Sequence, residues 1–551
     1  MSSSLPTPVD LPLAAAGMSR RSFLRFSGSL AVAGALTASL AACGGPESSS
    51  NAGQGTPASG LDNVDAVIGY NNNSSWDPLN TGSAFAMAAH NHVYESLWDA
   101  EAVSRKPFAA LAAQMPQDPG ATEWTVKLRD GATWHDGKPV TAEDVVYSFG
   151  RVLSTDKAVL TNAFFASWLK EVTKVDDSTV KITLKFPFAA AVQRFSIVKI
   201  IPKHHFDGQA DDFFNLGANA LGSGPFKVAG HQDTSFTKFA AHDGYNGPLK
   251  PAFKTMQWNV SVDAAARVGL LTSGVGGVQV SDNIPQDNID ALKAKGLTVE
   301  GADSMNLLGL AFNTSKKPFD DERVRQALRM AIDTQKLIDV AIAGKGTPAT
   351  GFLHEASPDY AKAATQFDYN PTKAKQLLVE AGVKSLEVRL LSTNISWTKI
   401  AVNTIKEGWD AIGVNTTLDV QETAAFNSKV AAGDPADALT FSGNPNQFGA
   451  DADLNIRWFY SKSTPFLPWN KWGDTPEYQE LDQQLQAALE EADATKHKQL
   501  IDKAMDFIAE QAVIYPVMHM QLFTAWDPTK LSGLQPLDIP GLNLTKAKRT
   551  A

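Results

Sequence analysis

Glu123–Leu153 reads EWTVKLRDGATWHDGKPVTAEDVVYSFGRVL. Polar and apolar residues alternate through Arg129, so Trp124, Val126 and Leu128 share one face, as in a half-buried strand. Asp130-Gly131 and Asp136-Gly137 are turn pairs, because glycine takes a positive φ without steric cost. Thr141-Ala142-Glu143-Asp144 has the form of a capping box: the threonine hydroxyl can take a backbone N–H near Asp144, whose carboxylate can return the bond. A helix is expected from Thr141. One short stretch therefore carries strand, turn, turn and helix.

The same mixture extends outward. Val64–Tyr70 and Thr179–Phe186 alternate as strands, and Leu386–Leu391 follows them. Helical patterns cover Ala84–Leu97, Asp321–Ala341, Pro371–Ala381, Trp397–Ile412, Tyr478–Ala492 and Ala494–Gln511. Ala512–Phe523 (AVIYPVMHMQLF) reads as one buried strand. Interleaved helices and strands indicate an α/β protein with mixed sheets. From Leu61 onward the chain exceeds the usual size of one hydrophobic core, so two or three domains are expected. There is no tandem repeat.

The N-terminus is of a different kind. Arg20, Arg21 and Arg25 precede the weakly apolar run Phe26–Ala42, which ends at Cys43, the sole cysteine of 551 residues. That is the order of an export signal. Ser19-Arg20-Arg21-Ser22-Phe23-Leu24-Arg25 resembles the twin-arginine signal. Leu40-Ala41-Ala42-Cys43 resembles the lipobox of bacterial lipoproteins, which implies cleavage before Cys43 and acylation of its thiol. Residues 1–42 are then a signal and residues 43–60, poor in apolar side chains, a flexible tether. A membrane helix is the poorer reading: the run is at the short limit for a span and is weakened by Gly28, Gly34 and serines.

The formal charge is −10. Residues 1–42 hold three arginines against one aspartate, so the remainder is near −12. An acidic body argues against nucleic acid and against adhesion to anionic lipid. Catalytic motifs are scarce. There is no Gly-x-Ser-x-Gly elbow, no phosphate loop and no His-Glu-x-x-His. His90-Asn91-His92 and His204-His205 lack third ligands at zinc spacing. Met518-His519-Met520 suits a soft metal, but its apolar surroundings favour core packing. Asp451 and Asp453 would share a face on a strand, as an acid/base pair requires. No catalytic residue, cofactor or metal is assigned.

Several strings resemble the oligopeptide/dipeptide/nickel-binding (family 5) extracellular solute-binding proteins of ABC transporters. They are Glu123–Leu153, Trp76-Asp77-Pro78, VYESLWD (Val93–Asp99), LGSGPFKV (Leu221–Val228), LAFNTSKKPFDDERVRQALRMAID (Leu310–Asp333) and FDYNPTKAKQLLVEAG (Phe367–Gly382). The resemblance implies a two-lobed periplasmic-binding-protein-like fold (class II, large, with an extra subdomain), with mixed sheets and a hinge. Lobe I would hold 61–310 plus 525–551, and lobe II 311–524, with the hinge near Leu310 and Thr524. Much of the signature reads as structural: turns at the Asp-Gly pairs, close backbone approach at Gly222 and Gly224, and ion pairs of Arg323 and Arg325 with neighbours such as Asp320 or Asp333.

Carried over position by position, the resemblance places ligand contacts at Ser83, in the loop after Asp-Pro, and at Phe165 and Trp168. It adds Trp397, Gly443, Asn444, Asn446, Trp469 and Asn470 from the second lobe. Peptide-binding members carry Gly-Trp-x-x-Asp where this chain has SGNPNQFGADAD (Ser442–Asp453), with Asn446 about where the aspartate falls. An amide cannot offset an ammonium as a carboxylate does, so a free peptide N-terminus is in doubt as the group read here. The function implied is a lipid-anchored, monomeric solute-binding component at the outer face of the cytoplasmic membrane. It would deliver a peptide or similar small solute to an ABC permease and its ATPase subunits. A glycan, an opine-like compound or a metal chelate stays open as ligand. The alternatives are a secreted cell-wall hydrolase using Asp451 and Asp453, and a sensor without transport.

Overall fold

The computed structural model describes residues 63–70, 75–155, 159–232, 234–274, 277–449 and 451–550. The expected signal and tether, with Arg20, Arg21 and Cys43, lie outside them. Among the described residues no helix is long and apolar enough to cross a membrane.

Two mixed sheets organise the molecule. Among the described residues the first has seven strands in the order Thr298–Ala302, Leu522–Trp526, Val278–Ser281, Asn63–Ile68, Thr255–Val260, Phe236–Ala241 and Phe226–Gln232. Its central strand runs parallel to both neighbours and is largely buried, as parallel strands are. The second has six: Gly346–Pro348, Ile514–Met520, Leu307–Phe312, Ala438–Gly443, Leu386–Thr393 and Val414–Gln421. Each sheet has its own apolar core: Val64, Ala66, Trp258 and Phe239 in the first, Leu308, Leu310, Ile405 and Trp409 in the second. The fold is thus a two-lobed α/β architecture.

The opening stretch forms a smaller unit on lobe I. Glu123–Lys127 pairs with Thr179–Leu184, which pairs with Leu169–Asp176, and the helix Ala142–Leu153 packs across them. Asp144 accepts from the Thr141 backbone N–H and from its hydroxyl, each at 2.9 Å. Gly131 and Gly137 sit at φ +72° and +85°, in the left-handed region their turns require.

The sequence blocks meet in space. Glu95, buried, takes both forks of the Arg129 guanidinium at 3.0 and 3.1 Å and the Ser223 hydroxyl at 2.9 Å. Three separate strings thereby close on one carboxylate. Asp77 likewise takes Arg151 at 2.6 Å. Gly222 lies against Val93, where a Cβ would stand 1.9 Å from the Val93 carbonyl oxygen.

The chain passes between the sheets at residues 303–306 and at Gln521. Leu310 and Thr524, the expected hinge points, lie inside strands. The stretch Ala512–Phe523 is therefore not one strand: Ile514–Met520 belongs to lobe II and Leu522–Trp526 begins in lobe I. Gln521 donates to the Asp303 carboxylate at 2.8 Å, and Met520 N–H to the Asn306 carbonyl at 2.7 Å, so the two crossings are bonded to each other. Asp321–Ala341 is two helices, Glu322–Met330 and Thr334–Ile342, because Asp333 recaps the chain by accepting from Lys336 N–H. Arg323 pairs with Asp321. Arg325 bonds the Gln511 and Phe319 carbonyls rather than an acid, because its helix turns it into the core.

Candidate functional site

A cavity of about 690 Å³ lies between the lobes. Lobe I supplies Val103–Arg105 from a hairpin tip, Phe188–Ala190 and Gln193. The crossing supplies Asp303, Ser304 and Met305. Lobe II supplies His354, Ala356–Asp359, Asn446, Asp451 and the turn from Leu489 to Lys498. Two smaller cavities of about 70 and 90 Å³ adjoin Ile197, Phe448 and Ile539, and the larger of these shares Arg105 and Gln193 with the main one.

One polar network ties the cavity wall to the crossing. The buried Asn444 donates from Nδ2 to the Ser304 hydroxyl at 2.8 Å and to the Asp538 carbonyl. Its Oδ1 accepts from Asn446 N–H at 3.2 Å. Asn446 donates from Nδ2 to the Asp538 carboxylate at 3.0 Å and accepts from Asn455 Nδ2 at 2.9 Å. Arg105 holds the other oxygen of Asp538. A lobe II loop, a lobe I hairpin and the C-terminal segment thus converge there. Gly443 ends the strand just before this loop, and a Cβ there would meet nothing within 4 Å.

His354 also lines the cavity, with its backbone N–H on the sulfur of Met305, the residue after Ser304, at 2.9 Å. Its Nδ1 accepts from Ala356 N–H at 3.0 Å, so the neutral ring carries its proton on Nε2. Burial holds its pKa below the ordinary histidine value. Acidic groups outweigh basic ones: Arg105 and Lys498 are bound to Asp538 and Asp502, while among the described residues Asp303, Asp359 and Glu491 accept only amide N–H groups.

The anticipated contacts divide. Asn444 and Asn446 meet in the network above. Ser83 caps the helix Ala84–Val93, its hydroxyl accepting from Ala86 N–H, beside the 70 Å³ cavity. Trp397 is half-buried against the lobe II core, away from the cavity walls. Phe165 and Trp168 are fully buried and pack with Phe188 and Phe195. Their neighbour Phe164 is the ring that reaches lobe II, 5.4 Å from Phe448. Trp469 and Asn470 also sit in core: the indole donates to the Asp434 carbonyl, and the Asn470 carbonyl accepts from Thr314. Phe165 and Trp168 are thus held inward by aromatic packing, and Trp469 and Asn470 by hydrogen bonds within lobe II.

Asp451 and Asp453 are not a strand pair. Asp451 caps the helix Ala452–Tyr460, and both carboxylates are bonded to Arg194, so neither is a free acid or base. Ser304, His354, Asp359 and Asp538 escaped the sequence reading because they come from loops without periodicity. The one signal for Ser304 was its nearness to the expected hinge.

Residues 106–466 match the family described as bacterial extracellular solute-binding proteins, family 5. The chain is 27% identical over 473 residues to the glutathione-binding protein GsiB of Salmonella typhimurium, covering 84% of this chain and 90% of that protein. The dipeptide-binding protein of Pseudoalteromonas sp. SM9913, solved with Met-Leu, superposes with a TM-score of 0.77 at 20% identity, over 89% of this chain and 100% of that one. The binding protein AgaA of A. tumefaciens R10, solved with agropinic acid, gives 0.76 at 25% identity, over 89% and 99%. These relatives are binding proteins. With a two-lobed fold, a cavity between the lobes and a match across most of the folded body, the chain belongs to the family 5 bacterial extracellular solute-binding proteins.

Proposed function

We propose that this chain is the extracytoplasmic solute-binding component of an ABC importer, taking a peptide or similar small solute between its lobes. The observation that carries the reading is the cavity of about 690 Å³ walled by both lobes and by the crossing segments. Its size suits a small molecule, and its walls move relative to one another if the lobes rotate about the crossing. A solute that touches both walls favours the closed form by its extra contacts there. The closed form is then what a permease and its ATPase subunits would read. A dipeptide and agropinic acid occupy relatives of this fold, which supports a peptide-like or comparably small polar solute here.

Acylation at Cys43, after export directed by Arg20 and Arg21, would hold the monomer at the outer face of the membrane. Labelled palmitate should enter the wild type and not Cys43→Ala.

The deciding experiment is native mass spectrometry of residues 44–551 purified without denaturation, followed by a thermal-shift panel of peptides and other small solutes. A retained adduct, or a ligand that raises Tm, supports the reading. A protein that carries nothing and responds to no member of a broad panel overturns it.

A further inference from the structure

Arg194 ends the short helix Ala191–Arg194, whose Ala191 and Val192 lie in the lobe I core. Its guanidinium is buried yet points out of that lobe. Nε and Nη2 grip the two oxygens of Asp451 at 3.0 and 2.5 Å. Nη2 also donates to Asp453 at 2.6 Å, and Nη1 to the Phe164 carbonyl at 3.1 Å. The far face lies 4.7 Å over the Phe188 ring. Asp451 and Asp453 open the helix Ala452–Tyr460, whose Ile456, Phe459 and Tyr460 lie in the lobe II core. Asp451 is also a wall of the cavity.

Planar two-point contact with a carboxylate is the strong geometry for an arginine. Asp453 has a second cation, Arg457, at 2.7 Å. Asp451 has no second ion pair among the described residues; its remaining bond is from Leu454 N–H. Burial alone would raise the Asp453 pKa, but Arg457 and Arg194 outweigh it and hold the group below the usual carboxylate range.

We propose that Arg194 is a specificity-determining residue of the cleft: the protein's own guanidinium occupies the carboxylate that a cationic solute would need and bonds the lobes through it. The Asp451 carboxylate is then closed to an ammonium or guanidinium group of the solute, and Asp359, which accepts from Ala452 N–H, is the carboxylate left to meet one at that end of the cavity. The proposal rests on the solute-binding reading above, but it is tested without the natural solute.

The test is cation rescue in the full chain. Ethylguanidinium is the probe and ethylurea its uncharged match. Wild type should show no specific response to either. Arg194→Ala should have a lower Tm and a larger radius of gyration by solution scattering. Ethylguanidinium, and not ethylurea, should bind it at least tenfold more tightly than it binds wild type, and should recover both quantities in part. The double variant Arg194→Ala/Asp451→Asn should lose that response. If Arg194→Ala fails to fold, Arg194→Gln, which removes the charge and keeps most of the side chain over Phe188, should show the same larger radius and the same preference for ethylguanidinium over ethylurea. Equal binding of ethylguanidinium to wild type would mean the carboxylate is open to solutes, and would overturn the proposal. So would a variant with the wild-type radius and no cation response. A chain that shows the rescue but binds nothing in the solute panel would lose the transport reading and keep the role of Arg194.

Discussion

Asn446 shows what a single residue does at this cleft. Its amide is used in both senses, Nδ2 donating to Asp538 and Oδ1 accepting from Asn455. A carboxylate can only accept, so Asn446→Asp would set two negative oxygens where a donor now faces an acceptor. The variant should melt several degrees below wild type at low ionic strength and recover in part at high salt, which screens the repulsion. A Tm deficit that is flat with salt would show that charge is not the cause. Asn444 is a second case. Its Nδ2 has two acceptors, and its removal leaves the Asp538 carbonyl with one partner fewer in a buried place. Asn444→Ala should cost about 1–3 kcal/mol in chemical denaturation. A cost near zero would show that water replaces the amide. Both asparagines stand in the loop that the sequence aligned to a known pattern, and the structure sets that loop against the crossing. The aromatics expected at the site are buried, and for a physical reason. Phe165, Trp168 and Trp469 have the composition of a ligand platform, but whether such a ring faces a cleft or a core is decided by packing partners distant in sequence. Phe188 and Phe195 are such partners for Trp168.

At the scale of elements, the strongest sequence signals proved to be scaffold. The Asp-Gly turns and the Thr141–Asp144 box have local causes, so a local reading found them. The close approach at Gly222 was likewise expected, and the structure supplies the partner, the Val93 carbonyl. Gly222→Ala should therefore cost more than the ~1–3 kcal/mol typical of an overpacked core, because the obstacle is backbone and cannot rotate away. Urea unfolding would check this, and a loss below about 0.5 kcal/mol would mean that the turn shifts freely. The strand Ala512–Phe523 is the instructive failure. Its continuous apolar run fits a buried strand, and periodicity cannot reveal that one residue, Gln521, separates two sheets. Nor did pattern show that the helix expected over Asp321–Ala341 is interrupted: Asp333 reads there as an ion-pair neighbour, and in the structure it caps the second helix.

At the scale of the whole molecule, the two-lobed α/β plan was legible from the order of the blocks, while the crossing points were displaced by a few residues into loop and Gln521. The crossing also carries a pH liability. His519 lies on the lobe II strand next to it, buried, with Nε2 lacking a hydrogen-bond partner among the described residues and its ring edge-on to His354 at 5.3 Å. Burial, reinforced by His354, pushes its pKa down to about 3. His90, His92 and His135 are also depressed, to about 3, 4 and 3, chiefly by burial. The unfolded chain protonates these rings near pH 6.5 while the folded one does not. Below that pH the unfolded state binds more protons, so stability falls as pH drops from about 6.5 toward the folded values. Buried Glu95 and Asp282, raised chiefly by burial, act in the opposite sense, so the net slope of the wild type mixes both. Substitution isolates one ring. His519→Phe removes a group whose folded form resists the proton, and should make the slope of unfolding free energy against pH shallower by about 1.4 kcal/mol per unit well below pH 6.5. Urea titrations at pH 7, 6, 5.5 and 5 would measure it. An unchanged slope would mean that His519 takes up its proton in the folded state, through opening of the crossing or a bound water.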